Sequence, residues 1–179
     1  MDTRAVPLAD LPDQVAGLLR DRGAAQINLY KALANSPAMV DAWRHFLWDL
    51  RDRCRSPRSH REIAILRTAV RSRSDYEWVH HVQMARSAGV SDEQIAAVKV
   101  WPRSEGVFNP EEELVLELAD ALVDGAVPDA LVDRAVRWWG PETYVELVVT
   151  TSAYVMVPRV LDGLRVPLEA AVAGTRLDA

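Results

Sequence analysis

The sequence predicts an all-α fold, a single-domain helical bundle. Apolar residues recur at three- and four-residue steps along most of the chain, which is the spacing that gives a helix one apolar face. Residues typical of helix starts and helix ends stand between these periodic segments. No segment alternates apolar and polar residues between hairpin turns, so strands are not expected. The strongest signals are the starts at Ser36-Pro37, Ser91 and Asn109-Pro110 and the ends at Gly89 and Gly125.

Length and composition favour one soluble globular domain. The chain has 179 residues, 49% of them apolar, and a net charge of −5, so it can bury a core and has no basic surface for nucleic acid. The N-terminus lacks the apolar segment of a signal peptide, and the longest apolar run, Val145–Val157, is too short to cross a bilayer. We therefore expect a cytoplasmic protein without membrane association.

The first third of the chain is expected to form a loose arm followed by three helices. Residues 1–10 are the arm, Leu11–Arg22 can form a short amphipathic helix, and Ala24–Ala34 continues with helical spacing. A longer helix is predicted from Ala38 to about Cys54, with an apolar stripe expected in the core. The stripe consists of Trp43, Phe46, Leu47 and Leu50.

A pair of helices is predicted between Arg61 and Gly89, separated by a polar break at Arg71–Asp75. In the second helix of the pair, Ser74, Glu77 and His81 are spaced i, i+3 and i+7, so they project from one face. A carboxylate four residues before an imidazole can share a proton with it or fix its tautomer. This face is the candidate site for proton chemistry.

The remaining chain is predicted to contain four helices and a frayed tail. Ser91 and Gln94 form a capping box for the first, and Asn109, Pro110 and the acids after them begin the second. The predicted ranges are Ser91 to about Val100, Asn109–Val123, Asp129–Trp139 and Glu142–Val157, with a break at Gly140-Pro141, a restart at Pro158 and a tail from Ala171.

The central segment resembles a known family. The runs REIAILR, SDYEWVHH and ARSAGVSDEQI are similar to the carboxymuconolactone decarboxylase family, which is related to the alkylhydroperoxidase D proteins. The resemblance covers roughly residues 36–168, and its specific part is 61–95. It implies an alkylhydroperoxidase D-like (AhpD-like) bundle and a homo-oligomer, since dimers, trimers and hexamers all occur among such proteins. The expected organisation is an N-terminal arm with helices at 1–35, the family domain at 36–170 and a tail at 171–179.

The chain departs from the redox branch of this family at the cysteines. That branch carries a Glu, eleven residues, then Cys-x-x-Cys-x-x-x-His; here the Glu falls on Glu62, the His on His81, and the cysteine positions hold Ser74 and Glu77. Thiol–disulfide exchange requires an attacking and a resolving thiol. Cys54 is the only cysteine and lies outside the motif, so thiol peroxidase activity is not expected.

The resemblance implies a cofactor-independent lyase that acts on a small carboxylated or lactone-type molecule. His81 is the expected general acid/base, Glu77 its partner, and Glu62 the residue that completes the relay. No metal is expected, because the adjacent His80 and His81 diverge by roughly 100° on a helix and rarely bind one ion. The predicted substrate-binding residues are Ser74, Tyr76, Trp78 and His80.

Simpler interpretations of these residues remain open from sequence alone. Ser74 and Glu77 match an S-x-x-E capping box, in which Glu77 would only satisfy backbone N–H groups. Glu62 could be a surface partner of Arg58 or Arg61. The rival function is a non-catalytic oligomer that binds small molecules, and an isomerase or dehydratase is a further alternative. The candidate arginines for a substrate carboxylate are Arg67, Arg86 and Arg159.

Overall fold

The structure is a computed structural model that describes residues 6–21, 27–170 and 176–177. All regular secondary structure in these ranges is helical, which confirms the predicted all-α fold. The helices are α1 Asp13–Asp21, α2 Asn28–Leu33, α3 Pro37–Asp52, α4 Arg58–Arg71, α5 Asp75–Ser87, α6 Asp92–Val98, α7 Pro110–Asp124 and α8 Asp129–Gly163.

The described residues group into two compact units. One contains the chain up to Arg53 together with Arg159 and the described residues after it as far as 170. The other runs from Cys54 to Pro158 and includes residues 176–177. Every residue of the predicted proton relay lies in this second unit.

The core of the first unit is a cluster of three buried side chains, Leu19, Tyr30 and Trp48. The Trp48 indole N–H donates a hydrogen bond of 3.0 Å to the Tyr30 hydroxyl, and the Arg44 guanidinium lies 5.2 Å from the Trp48 ring centroid. These contacts combine a large apolar surface with a satisfied polar atom and a cation–π interaction. Trp48 is therefore the residue of α3 on which this cluster depends.

The predicted apolar stripe of α3 is wrong for Phe46, which is 44% exposed. The buried residues of α3 are Val40 and Trp48, while Trp43 is only partly buried against the cluster. Apolar residues occur around most of this helix, so periodicity alone allows two overlapping stripes. Packing against Tyr30 and Leu19 selects the face that carries Trp48.

The sequence predicts a loose N-terminal arm, but its described residues form backbone hydrogen bonds with later segments. The Val6 N–H donates to the Leu164 carbonyl at 3.2 Å, and the Ala9 N–H donates to the Lys31 carbonyl at 3.0 Å. These backbone hydrogen bonds attach residues 6–9 to the first unit. The predicted features at residues 1–5, 22–26, 171–175 and 178–179 lie outside the described residues.

Helix α4 occupies the centre of the second unit and packs against α5, α6 and α7. Every residue from His60 to Ala69 is buried, so its polar side chains must find partners inside the protein. Arg67 donates two hydrogen bonds to Asp120, at 2.7 and 3.0 Å, and a third to the Val98 carbonyl at 3.0 Å. This structural role removes Arg67 from the candidates for substrate binding.

The predicted helix starts are confirmed around this central helix. The Ser91 and Gln94 capping box is formed, and so is a second one between Asn109 and Glu112. Gly125 ends α7 in the left-handed conformation, with φ of 84°, which favours glycine. Ser36 is extended before α3 but its side chain makes no capping hydrogen bond, so Pro37 is the stronger start signal there.

Helix α8 contains the predicted break but not the predicted restart. Gly140 has φ of 76° and ψ of 166°, which kinks the helix before Pro141. The helix then continues through Pro158 to Gly163, although a proline removes one backbone hydrogen bond. Buried Val157 lies beside it, so packing holds this turn in helical conformation.

The length of α8 corrects the expectation that no segment could cross a bilayer. By length and composition the helix is long and apolar enough to do so. Its most apolar 18-residue window is 44% buried within the protein, and core helices of soluble proteins pass the same test. Its length is therefore weak evidence for a membrane span.

We predict that Trp48→Ala and Phe46→Ala, on the same helix, differ strongly in stability. Loss of Trp48 should lower the free energy of unfolding by about 3–5 kcal/mol, because it removes a buried aromatic side chain. Loss of the exposed Phe46 should cost less than about 1 kcal/mol. Urea denaturation followed by circular dichroism measures both values, and equal losses would contradict the observed face of α3.

Candidate functional site

Glu62 is the most deeply buried residue of the predicted relay, with 0% of its surface exposed. One carboxylate oxygen, Oε1, contacts the Arg58 guanidinium one turn earlier on α4. The other, Oε2, lies 2.8 Å from His81 Nδ1 on α5. A buried carboxylate is stable when positive charge and hydrogen-bond donors surround it, and these two side chains provide both.

His81 connects Glu62 to Glu77. Its second nitrogen, Nε2, lies 3.6 Å from Glu77 Oε2, and the side chains of His81 and Glu77 are 5% and 6% exposed. This distance is longer than a hydrogen bond, so a small rotation would be needed to form one. The structure therefore brings together Glu62, Glu77 and His81. Helical spacing predicts the Glu77–His81 pair, whereas the place of Glu62 in the relay is implied by the family resemblance.

The tautomer of His81 is assigned from its contact with Glu62, whose carboxylate faces the Arg58 guanidinium and is taken as ionised. An ionised carboxylate can only accept hydrogen bonds, so His81 Nδ1 must carry the proton that is shared with Glu62. In the neutral ring, Nε2 is then left as an acceptor that faces Glu77. Nε2 and the Glu77 carboxyl group together can take up and release one proton.

The two simpler interpretations of the carboxylates do not match the geometry. The Ser74 hydroxyl accepts a hydrogen bond from the Glu77 N–H at 3.4 Å, so Ser74 does cap α5. The Glu77 side chain, however, is buried beside His81 and is not an exposed cap. Glu62 does pair with Arg58, but the pair is not a surface contact because Glu62 is fully buried.

The predicted substrate-binding residues make contacts with one another and with Lys99. The rings of Tyr76 and His80 lie with centroids 4.7 Å apart and planes tilted by 42°. Trp78 is 4% exposed, and Lys99 Nζ lies 4.9 Å from its ring centroid. Ser74 serves as the N-cap of α5. A role of these four residues in substrate binding stays a prediction.

Sequence reasoning missed the contribution of α8. Tyr154 packs edge-on against His81, with ring centroids 4.8 Å apart and planes at 83°. Glu146 accepts hydrogen bonds from the backbone N–H groups of Arg55 at 3.0 Å and Ser56 at 2.7 Å. Glu146, Thr150 and Tyr154 follow at i, i+4 and i+8 on one face, but nothing in their spacing indicates which helix they meet.

The lone cysteine lies near the relay but is a poor nucleophile. Burial raises the pKa of the Cys54 thiol and the negative charge of Glu146 raises it further, while Arg61, Thr150 and Arg58 oppose the shift. The thiol is therefore protonated at neutral pH, and the thiolate is the reactive form. This supports the expectation that thiol chemistry is not the activity of the site.

Two charged side chains near Cys54, Arg61 and Glu146, have shifted pKa values. Burial lowers the pKa of the Arg61 guanidinium and the nearby Arg58 charge lowers it further, against the opposing effects of Cys54, Glu146 and Glu62. Burial would raise the pKa of Glu146, but the hydrogen bonds from Arg55 and Ser56 and the charge of Arg61 lower it overall.

In the part of the chain that the structure describes, no three His, Cys, Asp or Glu side chains are placed to hold a metal ion.

Comparison with protein families identifies the segment that contains the relay. Residues 37–121 match the sequence profile of the carboxymuconolactone decarboxylase family, which confirms the resemblance seen in the sequence. The match includes Glu62, Glu77 and His81, whereas α8 lies beyond it. No significantly similar sequence is found among curated proteins.

Several solved structures share the fold over nearly the whole chain. A peroxidase-related protein of uncharacterised function from Silicibacter sp. TM1040 has a TM-score of 0.82 at 16% identity and covers 98% of this chain and 94% of its own. A variant of the debrominase Bmp8 in complex with 2,3,4-tribromopyrrole has a TM-score of 0.79 at 16% identity, with 96% of each chain covered. Apo Bmp8 has a TM-score of 0.74 at 18% identity, with 93% and 94% covered. At this identity the likeness shows the fold alone.

We predict that the neutral form of His81 carries its proton on Nδ1. The ionised Glu62 carboxylate accepts from that nitrogen, whereas free histidine favours the other tautomer. Nitrogen chemical shifts of isotope-labelled histidine distinguish the two forms, and His81→Gln assigns the signal. A neutral ring protonated on Nε2 would contradict the proposed direction of the hydrogen bond.

We predict that Cys54 is alkylated by iodoacetamide only at a pH above that needed for an ordinary thiol, because its pKa is raised. The folded state holds this proton more tightly than the unfolded chain, so its contribution to stability is complete below the unfolded pKa and is lost as the pH rises through the folded pKa. Glu146→Gln should shift the reaction profile to lower pH. Glu142→Gln, an exposed carboxylate on the same helix, is the control and should leave the profile unchanged.

Proposed function

We propose, on the premise that residues 37–121 belong to the carboxymuconolactone decarboxylase family, that this protein is a cofactor-independent lyase that removes carbon dioxide from a small carboxylated lactone. The observation that supports this proposal is the buried series of contacts from Arg58 through Glu62 and His81 to Glu77. Such a series suits the delivery of a proton to carbon.

The reaction needs no separate electron sink when the carboxylate is conjugated with the lactone. The carbon–carbon bond to the carboxylate breaks, carbon dioxide leaves, and the electron pair moves into the conjugated lactone carbonyl to give an extended enolate. A proton carried by His81 Nε2 or by the Glu77 carboxyl group then forms a bond with carbon and restores a neutral lactone. The proton on Nδ1 stays with Glu62, so His81 keeps its orientation throughout.

Burial of the relay favours the first step. A carboxylate is stabilised by water, so its transfer into a site that excludes water assists the loss of carbon dioxide. Glu62, Glu77 and His81 are all buried, at 0%, 5% and 4% exposure. The Tyr154 ring packs against the His81 ring, with centroids 4.8 Å apart, and adds to this exclusion.

The same relay also supports an alternative reaction within the enzyme class. An isomerase or dehydratase would remove a proton from carbon and return one elsewhere, which Nε2 and Glu77 can do without loss of carbon dioxide. The solved complex of the debrominase with 2,3,4-tribromopyrrole supports a small cyclic substrate for the shared fold. The absence of both motif cysteines in this chain does not favour a thiol-dependent reaction on such a ring.

We predict that His81→Gln and Glu77→Gln each lower the rate of carbon dioxide release from a carboxylated butenolide by about 10²- to 10⁴-fold, the usual contribution of a general acid/base. Glu62→Gln should lower the rate because the amide lacks the negative charge that stabilises a protonated His81. Gas-phase mass spectrometry of released carbon dioxide measures the three rates.

The control is His45→Gln, which removes an exposed imidazole on α3, away from the relay. It should retain most of the rate. Thermal shift with the same butenolide should show that His81→Gln still binds the ligand. The lyase proposal is wrong if the wild type binds the butenolide but never releases carbon dioxide, and if none of these substitutions changes the binding. That result would instead support a non-catalytic binding protein.

A further inference from the structure

One side of α8 carries a row of exposed apolar side chains. After the kink at Gly140, Val145, Val149 and Met156 are 57%, 37% and 38% exposed, and Ser152 is exposed between them. These four positions are spaced i, i+4, i+7 and i+11, so they project from one side of the helix. We call these four residues the α8 stripe. The stripe is about 16 Å long and has no charged member.

The α8 stripe lies on the side of the helix that faces away from the relay. Tyr154, which packs against His81, belongs to the opposite side. Each residue turns by about 100° around a helix, so Tyr154 points about 170° away from the middle of the stripe. Contacts with the relay therefore account for one side of α8 and leave the apolar residues of the other side exposed.

The order of residues along the stripe is symmetric about its centre, which lies between residues 150 and 151. Val149 and Ser152 form the inner pair, and the two end residues of the stripe form the next pair. Glu142 and Arg159 lie three residues beyond the two ends and form the outermost pair. When a helix packs antiparallel against a second copy of itself about a two-fold axis, each member of such a pair faces the other member.

This symmetry brings opposite charges together at both ends of the stripe. In an antiparallel pair of helices, Glu142 of each copy faces Arg159 of the other copy. The Glu142 side chain is 66% exposed and lies 3.5 Å from exposed Arg55, so its carboxylate can accept a further donor. A parallel pair would instead place like charges against each other, and they would repel. The charges therefore favour the antiparallel arrangement.

The sizes of the central residues also suit this arrangement. The small Ser152 of one copy faces the larger Val149 of the other, and a small residue opposite a large one lets two helices pack closely. An interface of this kind uses the same patch on both copies, which requires the patch to be complementary to itself. The α8 stripe meets this requirement in both size and charge.

We propose that the α8 stripe is the contact between two copies of this protein, which pair antiparallel about a two-fold axis near residues 150 and 151. Burial of three apolar side chains from each copy stabilises the pair. The two contacts between Glu142 and Arg159, at the solvent-exposed rim, fix the register. This inference goes beyond the proposed lyase function and does not depend on it.

Two other occupants fit this face less well. A helix that lies on a membrane surface usually carries lysine and arginine beside its apolar face, whereas Glu142 flanks one end of the stripe. An unrelated protein partner would not require a symmetric order of residues. Both alternatives predict that the protein on its own is a monomer.

Analytical ultracentrifugation of the full-length protein tests the proposal. The wild type should sediment as a dimer or as an even-numbered assembly. Val149→Glu should raise the dissociation constant of the dimer at least about 100-fold, because two carboxylates would lose water at the centre of the contact. Val100→Glu, the same substitution at a valine that is 44% exposed outside the stripe, is the control and should leave the constant unchanged.

Charge reversal tests the antiparallel register. Glu142→Arg places two arginines against each other at both ends of the stripe, so it should raise the dissociation constant about tenfold or more. Arg159→Glu added to Glu142→Arg restores opposite charges and should return the constant to within about threefold of the wild type. Asp133→Arg, at an exposed acid on α8 before the kink, controls for the change in net charge.

The possible results separate the proposal from its alternatives. A wild type that stays monomeric at all concentrations overturns it, and co-sedimentation of that monomer with phosphatidylserine vesicles would assign the face to a membrane. A dimer that Val149→Glu leaves intact, while circular dichroism shows a folded variant, also overturns it. If Val149→Glu does not fold, the exposed charge-reversal variants decide the result. Failure of the double reversal to restore the dimer overturns the antiparallel register.

Discussion

The burial of the Glu62 carboxylate is the constraint on which the arrangement of the site depends. A carboxylate with no exposed surface is stable only if charge and hydrogen bonds replace the water it has lost. Arg58 supplies the charge from the same helix, and His81 supplies a donor from α5. The position of α5 against α4 is therefore fixed by a polar requirement as well as by apolar packing. Replacement of either partner would leave a buried charge incompletely compensated.

The two positions that hold cysteines in the redox branch perform two different tasks in this chain. The Ser74 hydroxyl caps α5, and the Glu77 carboxylate lies beside His81. A pair that would have exchanged electrons through a disulfide is thus replaced by one structural and one acid–base residue. Cys54, whose burial and neighbouring Glu146 raise its pKa, does not restore thiol chemistry. Proton transfer is the chemistry that the remaining side chains support.

Helix α8 completes the site from a distant part of the chain. Its kink at Gly140 is followed by a helical segment in which Glu146, Thr150 and Tyr154 share one face. Glu146 holds the turn before α4, Thr150 lies near Cys54, and Tyr154 contacts His81. One helix face therefore contacts both the turn before α4 and the relay.

The sequence by itself determined the helices and the pairing of Glu77 with His81, because both follow from interactions between residues close in the chain. Capping at Ser74 and Ser91, the kink at Gly140 and the i, i+4 spacing are local features of this kind. Tertiary structure decided whether Phe46 or Trp48 faces the core, whether Pro158 ends a helix, and how deeply Glu62 is buried. It also brought Tyr154 to His81. Burial depends on which distant segment covers a residue, and neither helical period nor capping residues carry that information.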